Sequence, residues 1–227
     1  MNYKVIYEDN NLLIFNKPQG LPTGIGNQNN NLVSLVFKDY PFLKEVKGYN
    51  EKEGGLLNRL DNETGGLVLF AKNNAAFEYY EKQMKNEKIK KIYTAIVEGV
   101  LKKKKGIIDY PIIHNPKSKK RMKIIKEIKE NLKIQKAKTE YEVIKEFKKH
   151  SILKVIIYKG KRHQIRIHLA SIGHPIIGNK LYGNKQSIFK NHFLYATGLE
   201  FITPLGEKKI IEIKPFFEEY DKIKLLF

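Results

Sequence analysis

Asn58-Arg59-Leu60-Asp61-Asn62-Glu63-Thr64-Gly65-Gly66 runs directly into Leu67-Val68-Leu69-Phe70-Ala71. Five consecutive apolar residues behind a glycine pair read as a short buried strand entered through a tight turn. The turn sets an acid two residues from an arginine at the strand's entrance, which suits a carboxylate held at a cleft. An Asp close to Gly more commonly caps its own backbone turn. On local pattern alone the turn-capping reading is the stronger.

Working outward, Asn73 can cap a helix whose apolar or aromatic positions are Ala76, Phe77, Tyr80 and Met84. Ile92 to Val97 reads as a second buried strand, closed by Glu98-Gly99. Upstream, Val5-Ile6-Tyr7 and Leu12-Leu13-Ile14-Phe15 flank Glu8-Asp9-Asn10-Asn11, the pattern of a hairpin. Asn16-Lys17-Pro18-Gln19-Gly20-Leu21-Pro22 then reads as an ordered turn leading to a mobile Gly/Asn-rich loop that reaches Asn31. Downstream, 101–138 is dense in Lys and poor in aromatics but keeps Ile107-Ile108 and Ile124-Ile125, which predicts long exposed strands and loops. Thr139–Phe147 and Ile152–Tyr158 predict a second hairpin around Lys148-Lys149-His150-Ser151. A helix is predicted from about Lys161 to Ile172, ended by Gly173 and Pro175, followed by strands near 193–203 and 208–213 and a short helix near 216–226. Strands outnumber helices and many neighbours are hairpins, so the fold class is α+β with a mixed, mainly antiparallel sheet.

The 227 residues, 41% hydrophobic and 11% aromatic, suffice for a sizeable core. No apolar run approaches the roughly 18 residues of a membrane span. The N-terminus has neither an apolar stretch of signal-peptide length nor a small-residue cleavage site. The expectation is a cytoplasmic protein. The absence of cysteine excludes disulfides and thiolate metal sites. A net charge of +19 favours a polyanionic partner through counterion release, although a uniform drift toward Lys would raise the charge as well. Of 43 basic residues only four are Arg, and Arg59, Arg162 and Arg166 fall in two short segments. Lys replaces Arg as a point charge but not as a planar bidentate fork. Arg kept in so Lys-rich a chain points to a need for guanidinium geometry.

The second of those segments is Lys159-Gly160-Lys161-Arg162-His163-Gln164-Ile165-Arg166-Ile167-His168-Leu169-Ala170, continuing to Gly173-His174-Pro175. A glycine opening a helix with two Arg and a Gln in its first turns suits phosphate binding by side chains and helix N-terminal amides together. The alternative, a solvated basic face, is weakened because Ile165 and Ile167 flank Arg166, which falls at i+4 from Arg162. His163, His168 and His174 lack the i, i+4 spacing of a helical zinc pair, so no metal is expected. No phosphate loop, dinucleotide fingerprint or serine nucleophile elbow is present, so no nucleotide cofactor is expected either.

Together these segments resemble the RluA family of pseudouridine synthases. Asn58 to Leu67 is similar to that family's His-Arg-Leu-Asp-x-x-Thr-Ser-Gly-Leu, and Gly160 to Leu169 to its Gly-Arg-Thr-His-Gln-Ile-Arg-x-His-Leu, with Gly-His-Pro-Ile following at Gly173 to Ile176. Asn16-Lys17-Pro18-Gln19-Gly20 resembles its opening Asn-Lys-Pro-x-Gly. Lys91-Ile92-Tyr93-Thr94-Ala95 with Val97-Glu98-Gly99 resembles its Lys-x-Tyr-x-Ala-x-Val-x-Gly strand. Order and spacing hold from about residue 3 to 215. Departures are Asn58 for His, Gly65 for Ser, Arg162 for Thr, and Asn179 for an Asp after Gly178.

The resemblance implies a pseudouridine synthase catalytic fold with flanking helices and a catalytic cleft, read as one domain over 1–227 without the accessory RNA-binding domain that often precedes it. It implies isomerisation of uridine in structured RNA, ribosomal or transfer, by a monomer that flips the base and needs no cofactor. Asp61 takes the role of nucleophile and Arg166 that of the guanidinium set against it. Tyr93 is the ring that stacks on the target base, and Arg59 the side chain that fills the vacated space. Arg162, His163 and Lys17, inside the matched motifs, are candidate RNA contacts, and the Lys-rich 101–138 stretch would hold the backbone. An inactive RNA-binding or ribosome-assembly factor of the same fold is the alternative. It gives no reason to keep a carboxylate in the path of an anionic ligand. An RNA nuclease would need a metal-carboxylate cluster or a His pair that the sequence lacks.

Overall fold

A computed structural model describes residues 3–26, 30–118, 120–126, 134–217, 219 and 221–222. In chain order these form β1 (Lys4–Glu8), β2 (Leu12–Lys17), α1 (Leu32–Asp39), a 3-10 turn (Pro41–Glu45), β3 (Gly65–Ala71), α2 (Asn74–Lys85) and β4 (Lys90–Glu98). They continue with β5 (Lys105–Ile108), β6 (Ile112–His114), β7 (Met122–Ile124), β8 (Thr139–Glu146), β9 (His150–Ile157), α3 (Gln164–Ser171), β10 (Leu194–Ile202) and β11 (Lys208–Glu212). The class is α+β, with mixed but mainly antiparallel strand pairing. The chain forms two compact units, Met1–Lys91 with Tyr195–Glu218, and Ile92–Leu194 with Glu219–Phe227.

In the first unit β1 and β2 form the expected hairpin, closed by Asp9, whose carboxylate accepts the Asn11 and Leu12 amides at 2.7 Å each. β2 pairs antiparallel with β3 from Leu12↔Ala71 to Lys17↔Gly66, and β10 joins β3 in parallel at Gly65 and Gly66. Beyond that short contact β3 has a second neighbour: Gly55 to Leu57 returns antiparallel beside it, with the Ala71 amide on the Gly55 carbonyl at 2.7 Å and the Leu57 amide on Leu69 at 2.9 Å. Every β3 residue is buried, as its unbroken apolar run requires. Phe15 and Phe70 meet edge-to-face at 5.4 Å, and Tyr80 of α2 meets Phe201 of β10 at 5.8 Å. α2 begins at its expected cap, where the Asn73 side chain accepts the Ala76 amide at 2.9 Å.

α1 has no counterpart in the sequence expectations. Asn31 caps it through the Ser34 amide at 2.9 Å, and Leu32, Val33 and Val36 face the core. Two of those three are β-branched, in a helix of only eight residues, so propensity argues weakly for it and packing supplies its stability. Of the expected mobile loop that reaches Asn31, residues 27–29 lie outside the described residues.

Gly66 has φ +115, and a Cβ there would overlap the Ala196 backbone; a Cβ on Gly65 would overlap the Tyr195 ring. The chain crosses from turn to strand at these two residues because neither carries a side chain, which explains Gly65 where the family has Ser. Gly66→Ala is expected to lower stability by about 3 kcal/mol or more, through a forbidden backbone angle combined with backbone overlap. Urea unfolding checks it: a loss below about 1 kcal/mol would mean the β3–β10 contact adjusts freely.

In the second unit the strand order is β4-β9-β8-β5. β8 and β9 form the second expected hairpin, with a register shift between Val143 and Lys145. β9 alternates half-buried and buried residues, placing Leu153, Val155 and Ile157 in the core. β5, β6 and β7 are three or four residues each, shorter than the long strands expected for 101–138. Residues 119 and 127–133 of that stretch lie outside the described residues, as does most of the expected helix near 216–226. The β6–β7 hairpin and α3 share a small apolar cluster of Ile112, Met122, Ala137 and Ile167. α3 starts at Gln164, three residues later than expected. His163 before it adopts the left-handed conformation at φ 55, and the Gln164 side chain reaches back to accept the Lys161 amide at 3.0 Å. A residue in that conformation cannot continue a right-handed helix.

Candidate active site

Asp61 lies on a turn closed by the Thr64 amide donating to the Asp61 carbonyl at 3.0 Å. The carbonyls on either side of it accept hydrogen bonds from the 17–23 loop. Thr23 Oγ1 donates to the Leu60 carbonyl at 2.8 Å and accepts the Leu60 amide at 3.1 Å. The Gly20 amide donates to the Asn62 carbonyl at 2.8 Å, and Gln19 Nε2 to the Glu63 carbonyl at 2.8 Å. Lys17 Nζ adds a third donor to that region, reaching the Asn62 carbonyl at 3.2 Å. Two segments about forty residues apart in sequence are thus locked together around one half-buried carboxylate. Asn58 secures the other end of the passage: its side chain accepts the Leu69 amide at 2.8 Å and donates to the Leu67 carbonyl at 3.4 Å. A short amide suffices for that ladder-like contact, which accounts for Asn at the family's His position.

Lys17 is not placed as an RNA contact. It is fully buried, and its ammonium donates to the carbonyls of Leu21 at 2.7 Å, Pro18 at 3.0 Å and Asn62. All three donors are therefore engaged inside the protein. Burial pushes this ammonium down to about 7, while the Asp61 carboxylate pulls it the other way. Its charge acts on the turn that carries Asp61, out of reach of a solvated phosphate.

Arg59 is exposed and ion-paired to Glu53, which is buried. Glu53 carried no sequence expectation, because Glu51-Lys52-Glu53 reads as a solvated charge run. A buried acid inside such a run is a long-range consequence of the 53–57 segment turning inward beside β3.

The other sequence candidates belong to the second unit. Tyr93 is buried on β4. Arg166 is buried on α3, where Nη2 donates to Asn179 Oδ1 at 3.0 Å and the guanidinium lies 5.8 Å from the Tyr182 ring centre. Burial removes the alternative of a solvated basic face for Arg166. The Tyr182 hydroxyl in turn accepts the Met122 amide at 2.7 Å and pairs with His163 Nδ1 at 2.9 Å. Arg162 is exposed and precedes α3, so the helical i+4 alignment with Arg166 does not form. Gln164, expected to help grip phosphate, is buried and donates to the Lys138 carbonyl at 2.9 Å and Thr139 Oγ1 at 3.1 Å.

His168 and His174 make structural contacts. His168 is buried between Thr139 Oγ1 at 2.8 Å and the Tyr110 carbonyl at 2.9 Å, and burial lowers its pKa. His174 pairs with the Glu98 carbonyl at 2.8 Å. Among the described residues no group of three or more His, Cys, Asp or Glu is placed to hold a metal ion, and no helix is long and apolar enough to cross a membrane. In the Lys-rich stretch, Lys104 and Lys105 pair with Glu146 and Glu142 of β8 at 2.5 and 2.7 Å, which reduces the local positive charge there.

Two solved structures share this architecture. Human RNA pseudouridylate synthase domain containing 1 superposes with a TM-score of 0.77 at 20% identity, covering 96% of this chain and 86% of that one. Human RNA pseudouridylate synthase domain containing 4 gives 0.73 at 21% identity, covering 98% and 92%. The fold is that of a pseudouridylate synthase domain. The RNA pseudouridylate synthase family model matches residues 11–171, and the chain belongs to that family. An uncharacterized RNA pseudouridine synthase of Aquifex aeolicus is 38% identical over 198 residues, which are 86% of this chain and 60% of that protein. Ribosomal large subunit pseudouridine synthase D of Nitrosomonas europaea is 35% identical over 182 residues, 79% of this chain and 49% of its own length.

Proposed function

We propose that this chain converts uridine to pseudouridine in structured RNA, with Asp61 as the nucleophile. The observation that carries the reading is the locking of the Asp61 turn by the 17–23 loop. Donors on that loop satisfy the neighbouring carbonyls and set a buried ammonium nearby. A carboxylate carried on a backbone fixed in this way can attack without its turn reorganising.

The reaction breaks the bond between uracil N1 and the ribose anomeric carbon, turns the ring, and joins uracil carbon 5 to the same anomeric carbon. The hydrogen on carbon 5 leaves as a proton and N1 takes one up, so the change is a redox-neutral isomerisation, and the bond that Asp61 forms on the way breaks again before product is released. Asp61 attacks either carbon 6 of the ring or the anomeric carbon. The target base must first leave its stack, at a cost of a few kcal/mol. Tyr93 stacks on the extruded base, Arg166 binds the substrate, and Arg59 fills the space left behind. Exposed Arg162, with His163 beside it, contacts the RNA backbone, adding affinity and little sequence information.

The relatives named for the large ribosomal subunit favour ribosomal RNA as substrate, with transfer RNA as the other class. A carbodiimide map of pseudouridine in cells with and without the gene tests this reading and names the position. The expected result is one or a few modified uridines that vanish with the gene and return with wild-type protein. Identical maps in both cells would sink it.

A further inference from the structure

The Glu53–Arg59 pair differs from the surface ion pairs elsewhere in the chain. The Glu53 side chain is 2% exposed, whereas that of Arg59 is 54% exposed, so the pair is buried at its base and open at its tip. One carboxylate oxygen accepts the Ile25 amide at 2.7 Å and the other takes Arg59 Nη2. Gly24 lies against both: a Cβ there would overlap the Glu53 carboxylate and come within 3.3 Å of the Arg59 guanidinium carbon. A carboxylate, a guanidinium and a bare glycine backbone thus form one closed assembly. Arg59 is two residues from Asp61, and Leu60 between them is held by Thr23 at both its amide and its carbonyl. The backbone that carries Arg59 and Asp61 is thus fixed between them.

An exposed arginine ordinarily samples many rotamers, and fixing one costs side-chain entropy. Here the cost is met during folding by a buried partner whose carboxylate oxygens take the Ile25 amide and the Arg59 guanidinium.

We propose that Glu53 is a positioning residue that holds the Arg59 guanidinium as a pre-set wedge for the place the flipped uridine vacates. This rests on the substrate-binding role given to Arg59 above. Glu53 touches no RNA itself. It fixes the plane and reach of the side chain that does, and Gly24 leaves the room in which the pair closes. Lys at position 59 would keep the charge but lose the planar fork that the carboxylate orients.

The test is a double-mutant cycle in the full chain, read by single-turnover rates of pseudouridine formation and by RNA affinity measured separately. Glu53→Gln, which keeps an acceptor for the Ile25 amide, should slow the single-turnover rate roughly tenfold to a hundredfold. RNA affinity should change by only about twofold. In an Arg59→Ala background the same substitution should have almost no further effect on rate. Effects that multiply would overturn the proposal, because Glu53 would then act through the fold rather than through Arg59. An unchanged Glu53→Gln rate overturns it as well. Arg59→Lys keeps the proposal testable if Glu53→Gln does not fold: its rate should fall close to that of Arg59→Ala, and full rescue by Lys would contradict an oriented fork. If Arg59→Ala itself keeps the wild-type rate while Asp61→Asn abolishes it, the wedge role of Arg59 and of Glu53 fail together and the nucleophile assignment stands.

Discussion

Asp61→Asn is expected to fold, to bind RNA as well as wild type or slightly better, and to form pseudouridine at least ~10⁴-fold more slowly. The amide is nearly isosteric with the carboxylate. The bonds that fix the turn run through the backbone of Leu60, Asn62 and Glu63, so the substitution leaves them in place. What it removes is the negative charge. Without it no anionic nucleophile remains, and repulsion of RNA phosphates falls. Lys17 loses the carboxylate that partly offsets the effect of burial on its ammonium, and stability should change by no more than about 1 kcal/mol. Comparing circular dichroism, RNA affinity and single-turnover rate separates the roles. A variant that unfolds would mean the Asp61 side chain caps its own turn. One that turns over near the wild-type rate would remove it from the chemistry.

Lys17→Met should lower both stability and turnover. The thioether side chain fills similar space but donates nothing, leaving the carbonyls of Pro18, Leu21 and Asn62 without the ammonium. Buried acceptors stripped of a donor cost about 1–3 kcal/mol each, partly recovered by relaxation, so a loss of about 2–4 kcal/mol is expected. Turnover should drop at least about tenfold, because the turn carrying Asp61 loosens and its nearby cation is gone. The pH dependence isolates the charge. In the unfolded chain Lys17 keeps its proton to about 10.4, whereas in the folded protein it releases it near 7. Between these values the unfolded state binds more protons, so stability rises with pH; below 7 both states are charged and the cost of burying the ammonium is fully present. From pH 6.5 to 9 wild type should therefore gain about 2–3 kcal/mol more than Lys17→Met. Lys91, buried and lowered to about 8, contributes equally to both proteins. Parallel urea midpoints across that range would show that Lys17 is not buried as a charge.

The hairpins, the Asn73 cap and β3 were legible because each rests on a pattern a few residues long. A turn between alternating runs, a cap three residues from its amide and an unbroken apolar segment need no distant partner. What escaped depends on distance along the chain. Lys17 reads as a surface cation in Asn16-Lys17-Pro18, and only the arrival of Asn62 and Leu21 makes it a buried donor. Glu53 reads as one charge among several until Gly55 to Leu57 pairs with β3 and carries it inward. α3 starts later than the sequence suggests because Gly160 and the basic residues look helical, while the positive φ of His163 and the reach of Gln164 back to Lys161 are tertiary choices. The departures at Asn58 and Gly65 become intelligible only through β3 and Tyr195. Motif order singles out the candidate residues; packing decides which of them lie buried, as Lys17 and Arg166 do.

Pseudouridine formation must free the hydrogen on uracil carbon 5, so tritium release from RNA transcribed with [5-³H]uridine reports the reaction itself. Purified protein, stripped of bound RNA, should release tritium from ribosomal or transfer RNA transcripts up to a plateau of one or a few uridines per molecule. The Asp61→Asn protein should remain at the level of buffer. No release above buffer from any of these transcripts by wild-type protein that binds them would contradict the account.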